Sequence, residues 1–219
     1  LTGNSFLDNS EISNNQAGGN GGGISIFADG EANVFVRNST ISGNSASTGG
    51  GLSVTGYQTF SLKYSTIAYN TADDEGGGMV TSLSDGCSVE SALFDFNTGG
   101  ASAATQDLRI RGVGAVECDV SDTLLAGNAS EFNKVSGNVL GQASLIGPLA
   151  DNGGSGGRTH ALPANSPAID ASVSSGVITP SNDQRGDGFP REFGDRLDIG
   201  AFELSPTEDR IFRDNFESP

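Results

Sequence analysis

Asp107, Arg109 and Arg111 stand two residues apart, and in an extended chain that spacing puts all three side chains on one face. An arginine beside a carboxylate could serve a polysaccharide lyase, in which a base removes the proton next to a uronate carboxylate and a cation neutralises the acid. A self-paired, solvated strand face explains the same residues, and it is the preferred reading. Glycoside hydrolysis would need two carboxylates on neighbouring elements at a set separation; no acidic column of that kind is visible. His160, the one histidine, has no evident nucleophile nearby in sequence, so a general-base role is not expected. Asp73, Asp74 and Glu75 offer the hard oxygen ligands that calcium prefers. They lack the spacing of calcium-binding repeats, so an exposed acidic loop is expected and no cofactor other than calcium is considered. No residue is designated catalytic.

The residues that would position such chemistry repeat along the chain. Counting back from Asn15, Asn44, Asn70, Asn97 and Asn128, the third position is Ile12, Ile41, Ile67, Phe94 and Leu125, and the eighth is Leu7, Val36, Leu62, Val89 and Val120. The asparagine spacings are 29, 26, 27 and 31 residues, a period at which each repeat buries its apolar face by stacking on its neighbours. The tenth-before column is Ser5, Val34, Phe60, Cys87 and Cys118, and the seventh-before column is the polar Asp8, Arg37, Lys63, Glu90 and Ser121. That alternation has strand period. The fifth-before column is small (Ser10, Ser39, Ser65, Ala92, Thr123), as suits an inward position near a bend. Gly21-Gly22-Gly23, Gly49-Gly50-Gly51 and Gly76-Gly77-Gly78 each precede an apolar residue that opens another strand. The pattern predicts an all-β chain: a right-handed, single-stranded parallel β-helix of about five coils over residues 1–145, each with two or three short strands. Residues 146–219 form an irregular segment expected to cap the last coil.

In-register stacking also predicts a ladder in which Asn15, Asn44, Asn70, Asn97 and Asn128 pass hydrogen bonds from coil to coil. The sequons Asn38-Ser39-Thr40 and Asn128-Ala129-Ser130 fall within the same repeat, which already accounts for them. Cys87 and Cys118 share one column in adjacent coils, which brings their Cα atoms within disulfide range. A bond between them is predicted, with an oxidising compartment as its consequence.

The chain has 219 residues and a formal net charge of -16, with 11 Lys and Arg spread along it. That charge argues against nucleic acid and anionic membranes, which need clustered cations. No stretch has the length of a transmembrane helix, so membrane insertion by this segment is not expected. The chain opens almost in mid-coil, without an initiating methionine or leader, and a missing amino-terminal portion is expected.

After residue 145 the repeat gives way to Asp151-Asn152-Gly153-Gly154, Thr159-His160-Ala161-Leu162, Ser166-Pro167-Ala168-Ile169-Asp170, Asp183-Gln184-Arg185-Gly186 and Asp198-Ile199-Gly200-Ala201-Phe202-Glu203. This series resembles the terminal signature of bacterial choice-of-anchor Q proteins. The coils, with Gly49-Gly50-Gly51-Leu52 and Ser39-Thr40-Ile41-Ser42-Gly43-Asn44, resemble polymorphic outer membrane protein repeats. Ala164-Asn165 departs from the signature where a glycine is usual. Residues 211–217 resemble a short tail frequent in exported proteins of some gammaproteobacteria. The resemblance implies export to the surface or exterior of a Gram-negative bacterium, and implies no activity. Asp183, Arg185 and Asp198 are expected to form an ion and hydrogen-bond network that fixes the irregular segment. The function expected is a non-catalytic structural module for adhesion or self-assembly. It would stack on itself end to end or laterally, or bind glycans or host or cell-surface components. A β-helical polysaccharide lyase or glycoside hydrolase is the alternative.

Overall fold

Residues 3–28, 32–56, 59–83, 86–100, 107–111, 118–127, 133–134, 136–173, 179–194 and 196–205 are described by the computed structural model; Asn128 and the tail lie outside them. Alternating β-branched, aromatic and polar residues between glycine corners drive the chain into short strands. One turn runs through Ala32–Arg37, Thr40–Ser42, Ser45–Thr48 and Leu52–Gly56, and each of these strands lies beside its equivalent one repeat on. Among the described residues four parallel sheets result. The first and second have six strands, a narrow strip has three, and the third sheet has four. The fold is an all-β parallel β-helix of about four turns, slightly fewer than the asparagine count predicts, because the third sheet that closes each turn has four strands. A turn holds four strands where two or three were expected; the strip, Ser45–Thr48, Thr71–Glu75 and Thr98–Gly99, is the one not anticipated.

Register follows the columns. Ser5, Val34, Phe60, Cys87 and Cys118 are successive partners in the first sheet, as are Leu7, Val36, Leu62, Val89 and Val120. Ile12, Ile41, Ile67, Phe94 and Leu125 are partners in the second. These side chains fill the interior, where Ile41, Leu52, Leu62, Ile67 and Val89 are wholly buried, each worth about 1.5–3 kcal/mol of transfer free energy.

The sharp corners rest on backbone that the sequence only partly advertises. Asn9, Asn38, Tyr64, Ser91 and Asp122 have positive φ where the chain enters the second sheet, and Asn14, Gly43, Tyr69 and Phe96 have it where the chain leaves. Two left-handed columns therefore bracket that sheet. Asparagine, aspartate and glycine tolerate this conformation; the two tyrosines, Ser91 and Phe96 hide it. At the glycine corner the constraint is steric. A Cβ on Gly50 would lie 2.4 Å from the Thr71 carbonyl oxygen and 2.5 Å from that of Gly77.

The carboxy-terminal segment is expected to cap the last coil, and its described residues take a longer path. It runs along the outer face of the second sheet. Arg158 meets Glu11 of the first coil, Gln184 and His160 meet Thr40 and Ser42 of the next, and Ala201 donates to Thr66 Oγ1. Further along, Ser172 meets Ser91 and Ser144 meets Asp95. A second apolar core forms there from Leu93, Leu124, Ile146, Leu162, Ile199 and Phe202. The outer face of this sheet carries Thr40, Ser42, Thr66, Ala68 and Leu93, small or apolar side chains that allow another layer to approach closely.

Candidate functional site

The asparagine column stands at the corner between the second sheet and the strip. Each inner amide nitrogen has two acceptors. Asn44 Nδ2 donates to Asn70 Oδ1 and to the Ile12 carbonyl, both at 3.0 Å, and Asn70 Nδ2 donates to Asn97 Oδ1 at 3.0 Å and to the Ile41 carbonyl at 2.9 Å. Backbone N–H groups join in, from Asn15 to Asn44 Oδ1 and from Asn44 to Asn70 Oδ1. After Asn97 the next rung is Asp107, whose Oδ1 accepts from Asn97 Nδ2 at 2.9 Å while its Oδ2 accepts from the Gly127 N–H at 2.6 Å. Burial raises the pKa of Asp107, and the buried Asp95 adds to the shift.

That placement separates the candidate lyase trio. Asp107 points inward to the ladder, whereas Arg109 and Arg111 lie outside and both pair with Glu75 of the neighbouring turn, Arg109 at 2.7 Å. The three residues do not share one face, because Asp107 precedes the strand Leu108–Ile110 and takes the asparagine position instead. Glu75 is thereby engaged, and Asp73 and Asp74 stay exposed beside it. Among the described residues no group of three or more His, Cys, Asp or Glu is arranged to hold a metal ion.

A second ladder accompanies the first in the small column. Ser39 Oγ accepts from the Ser10 N–H and Ser65 Oγ from the Ser39 N–H, and each hydroxyl donates to a carbonyl two residues earlier. Size alone was read from these positions. The hydroxyls also satisfy corner amides. Asn38 of the first sequon is buried, donating to Asn9 Oδ1 at 2.5 Å and the Asn182 carbonyl at 3.1 Å. Cys87 and Cys118 are disulfide-bonded, with Cα atoms 4.4 Å apart.

Around the flanking segment, Arg185 and Asp183 form a buried ion pair at 2.7 Å, and the guanidinium lies between the Phe189 and Phe202 rings, 4.1 and 3.9 Å from their centroids. Asp198 is linked to that pair through Glu203, whose N–H donates to Asp183 Oδ2. It accepts from the Asp170 and Leu204 N–H groups, and its own N–H donates to Glu203 Oε2. Arg191 and Glu203, both buried, belong to the same cluster; neither was singled out in sequence, where nothing distinguishes them from exposed charges.

His160 has a hydroxyl beside it after all, brought from 118 positions away. Ser42 Oγ lies 2.9 Å from His160 Nε2, and His160 Nδ1 lies 2.8 Å from the Gly147 carbonyl. Nδ1–H therefore donates to that carbonyl and Nε2 accepts from Ser42. Burial lowers the histidine's pKa, which suits the neutral ring. The pair resembles half of a nucleophilic site, but an acyl intermediate needs amide donors for its oxyanion. The neighbouring amides of Asn14 and Gly43 donate instead to the Ser42 and Ala68 carbonyls. The arrangement docks the segment onto the sheet.

The first coil differs from the rest. Among the described residues its strands Gly3–Asp8, Glu11–Ser13 and Ile24–Ala28 pair with the second coil. Leu7, Ile12, Ile24 and Ile26, which occupy interior columns, are only partly buried, while Phe6 and Phe27 are 64% and 70% exposed. Phe6 stacks on Phe35 at 4.9 Å. Comparison with protein-family models, with curated proteins and with solved structures gives no match.

Proposed function

We propose that this chain is a non-catalytic structural module, exported to the surface or exterior of a Gram-negative bacterium, that acts by self-association or adhesion. The observation that carries this reading is the outer face of the first sheet, where in-register coils lay Phe6, Phe35, Ser61 and Ser88 in one column and the exposed Phe6 ring stacks on Phe35. Covering exposed apolar surface contributes about 25 cal/mol per Å², and Asp8 and Arg37, the charges of the next column but one, are paired to each other. The disulfide agrees with an oxidising compartment, and the terminal motifs agree with export.

The test is sedimentation velocity across a range of concentrations, with Phe6→Glu and Phe35→Glu as variants. Association that rises with concentration in the parent chain and disappears in both variants is the expected result. A parent chain that stays monomeric and binds nothing on a glycan array would overturn the proposal. So would turnover in a polysaccharide-cleavage screen with and without calcium, since any product from a uronate polymer would favour the lyase alternative.

A further inference from the structure

Besides His160, the described part of the flanking segment carries five ionisable side chains that are each no more than 2% exposed: Asp183, Arg185, Arg191, Asp198 and Glu203. They form one connected cluster. Arg185 Nη2 donates to Asp183 Oδ2 and to the Glu203 carbonyl, the Glu203 N–H donates to Asp183 Oδ2 at 2.9 Å, and the Asp198 N–H donates to Glu203 Oε2 at 3.0 Å. Arg191 lies over the Tyr64 ring and donates to the Gly200 carbonyl. Arg191 Nε and Nη1 and Glu203 Oε1 have no hydrogen-bond partner.

Among the described residues three carboxyl groups face two guanidinium groups here. Fully ionised, the cluster would hold one uncompensated negative charge away from water, which is strongly unfavourable. One bound proton removes it. We infer that one proton held by this cluster, on Glu203 first, locks this segment onto the second sheet, making the segment a latch that tightens on mild acidification.

The surrounding groups are consistent with one proton. Asp170 faces Asp198 from the solvent side through its N–H, and the sheet contributes the Tyr64 ring and the Thr66 hydroxyl. Burial, with Asp198 beside it, pushes Glu203 up to about 8, and burial pushes Asp198 up to about 6. In the released segment Glu203 would titrate near its ordinary 4.5. The latched state therefore holds more protons between these limits, so latching is favoured as pH falls and the advantage is gone above the raised value. His160 works in the opposite sense below its ordinary 6.5, because burial favours its neutral form. The window between about 6.5 and about 8 isolates the latch.

Hydrogen–deuterium exchange on the whole chain across that window tests this inference. After correction for intrinsic exchange, protection of residues 183–203 should rise about tenfold per pH unit lowered, relative to the first-sheet strands. Glu203→Gln should remove the slope. Independently, carboxyl carbon NMR of the parent protein near neutral pH should show one of the three groups protonated. Three ionised carboxylates, protection that moves in step with the first sheet, or a slope that survives Glu203→Gln would each overturn the latch.

Discussion

Asn70 makes two side-chain donations and accepts two more, from the Asn44 N–H and Nδ2. Asn70→Ala would remove all four hydrogen bonds from a buried corner and leave the Ile41 carbonyl and the Asn44 N–H without them. At about 1–3 kcal/mol for each buried group left unsatisfied, partly offset by relaxation, the expected loss is about 3–5 kcal/mol of stability, measured by denaturant unfolding. Asn15 makes the same kind of contact on the exposed first coil, where water replaces a lost partner. Asn15→Ala should therefore cost less than about 1 kcal/mol. The column was legible because a ladder needs the same residue at every rung. Asp107 was not legible as a rung: it stands 10 residues after Asn97 rather than a full repeat, so its place depends on how the intervening chain closes the turn.

Between elements, the glycine corner and the disulfide set the limits on change. Gly50→Ala would drive a methyl group into two carbonyl oxygens of the next turn. Neither oxygen can retreat without breaking its own stack, so a loss of about 3 kcal/mol or more is expected in thermal unfolding. Gly18→Ala meets nothing within 4 Å and should change stability by less than about 0.5 kcal/mol. The Cys87–Cys118 bond closes a separation of 31 residues. Paired replacement of both cysteines by alanine should cost about 3–4 kcal/mol in the chain-entropy model, read from denaturant midpoints under non-reducing conditions. The strands of the first two sheets were visible from their alternation. The strip was missed because Ser45–Thr48 and Thr71–Glu75 are small or polar on both faces and carry no alternating apolar signal.

For the whole molecule, acid should loosen the first coil from the flanking segment before the interior gives way. Although desolvation opposes it, the Arg158 guanidinium and the Ser13 hydroxyl hold Glu11 down at about 2. A carboxylate lowered in the folded state contributes stability above its ordinary 4.5 and loses it as pH falls toward that lowered value. Thermal unfolding followed from neutral pH to about pH 3 should show this loss, and Glu11→Gln should flatten it. What the amino-acid sequence determined alone is the solenoid and its register, since every coil must offer the same interior columns and the same corner donors to the next, and that demand prints a period on the chain. The tertiary structure alone decided where the last third goes. Its contacts with the sheet join residues 49 to 147 positions apart, each made once, and a contact made once leaves no period to read.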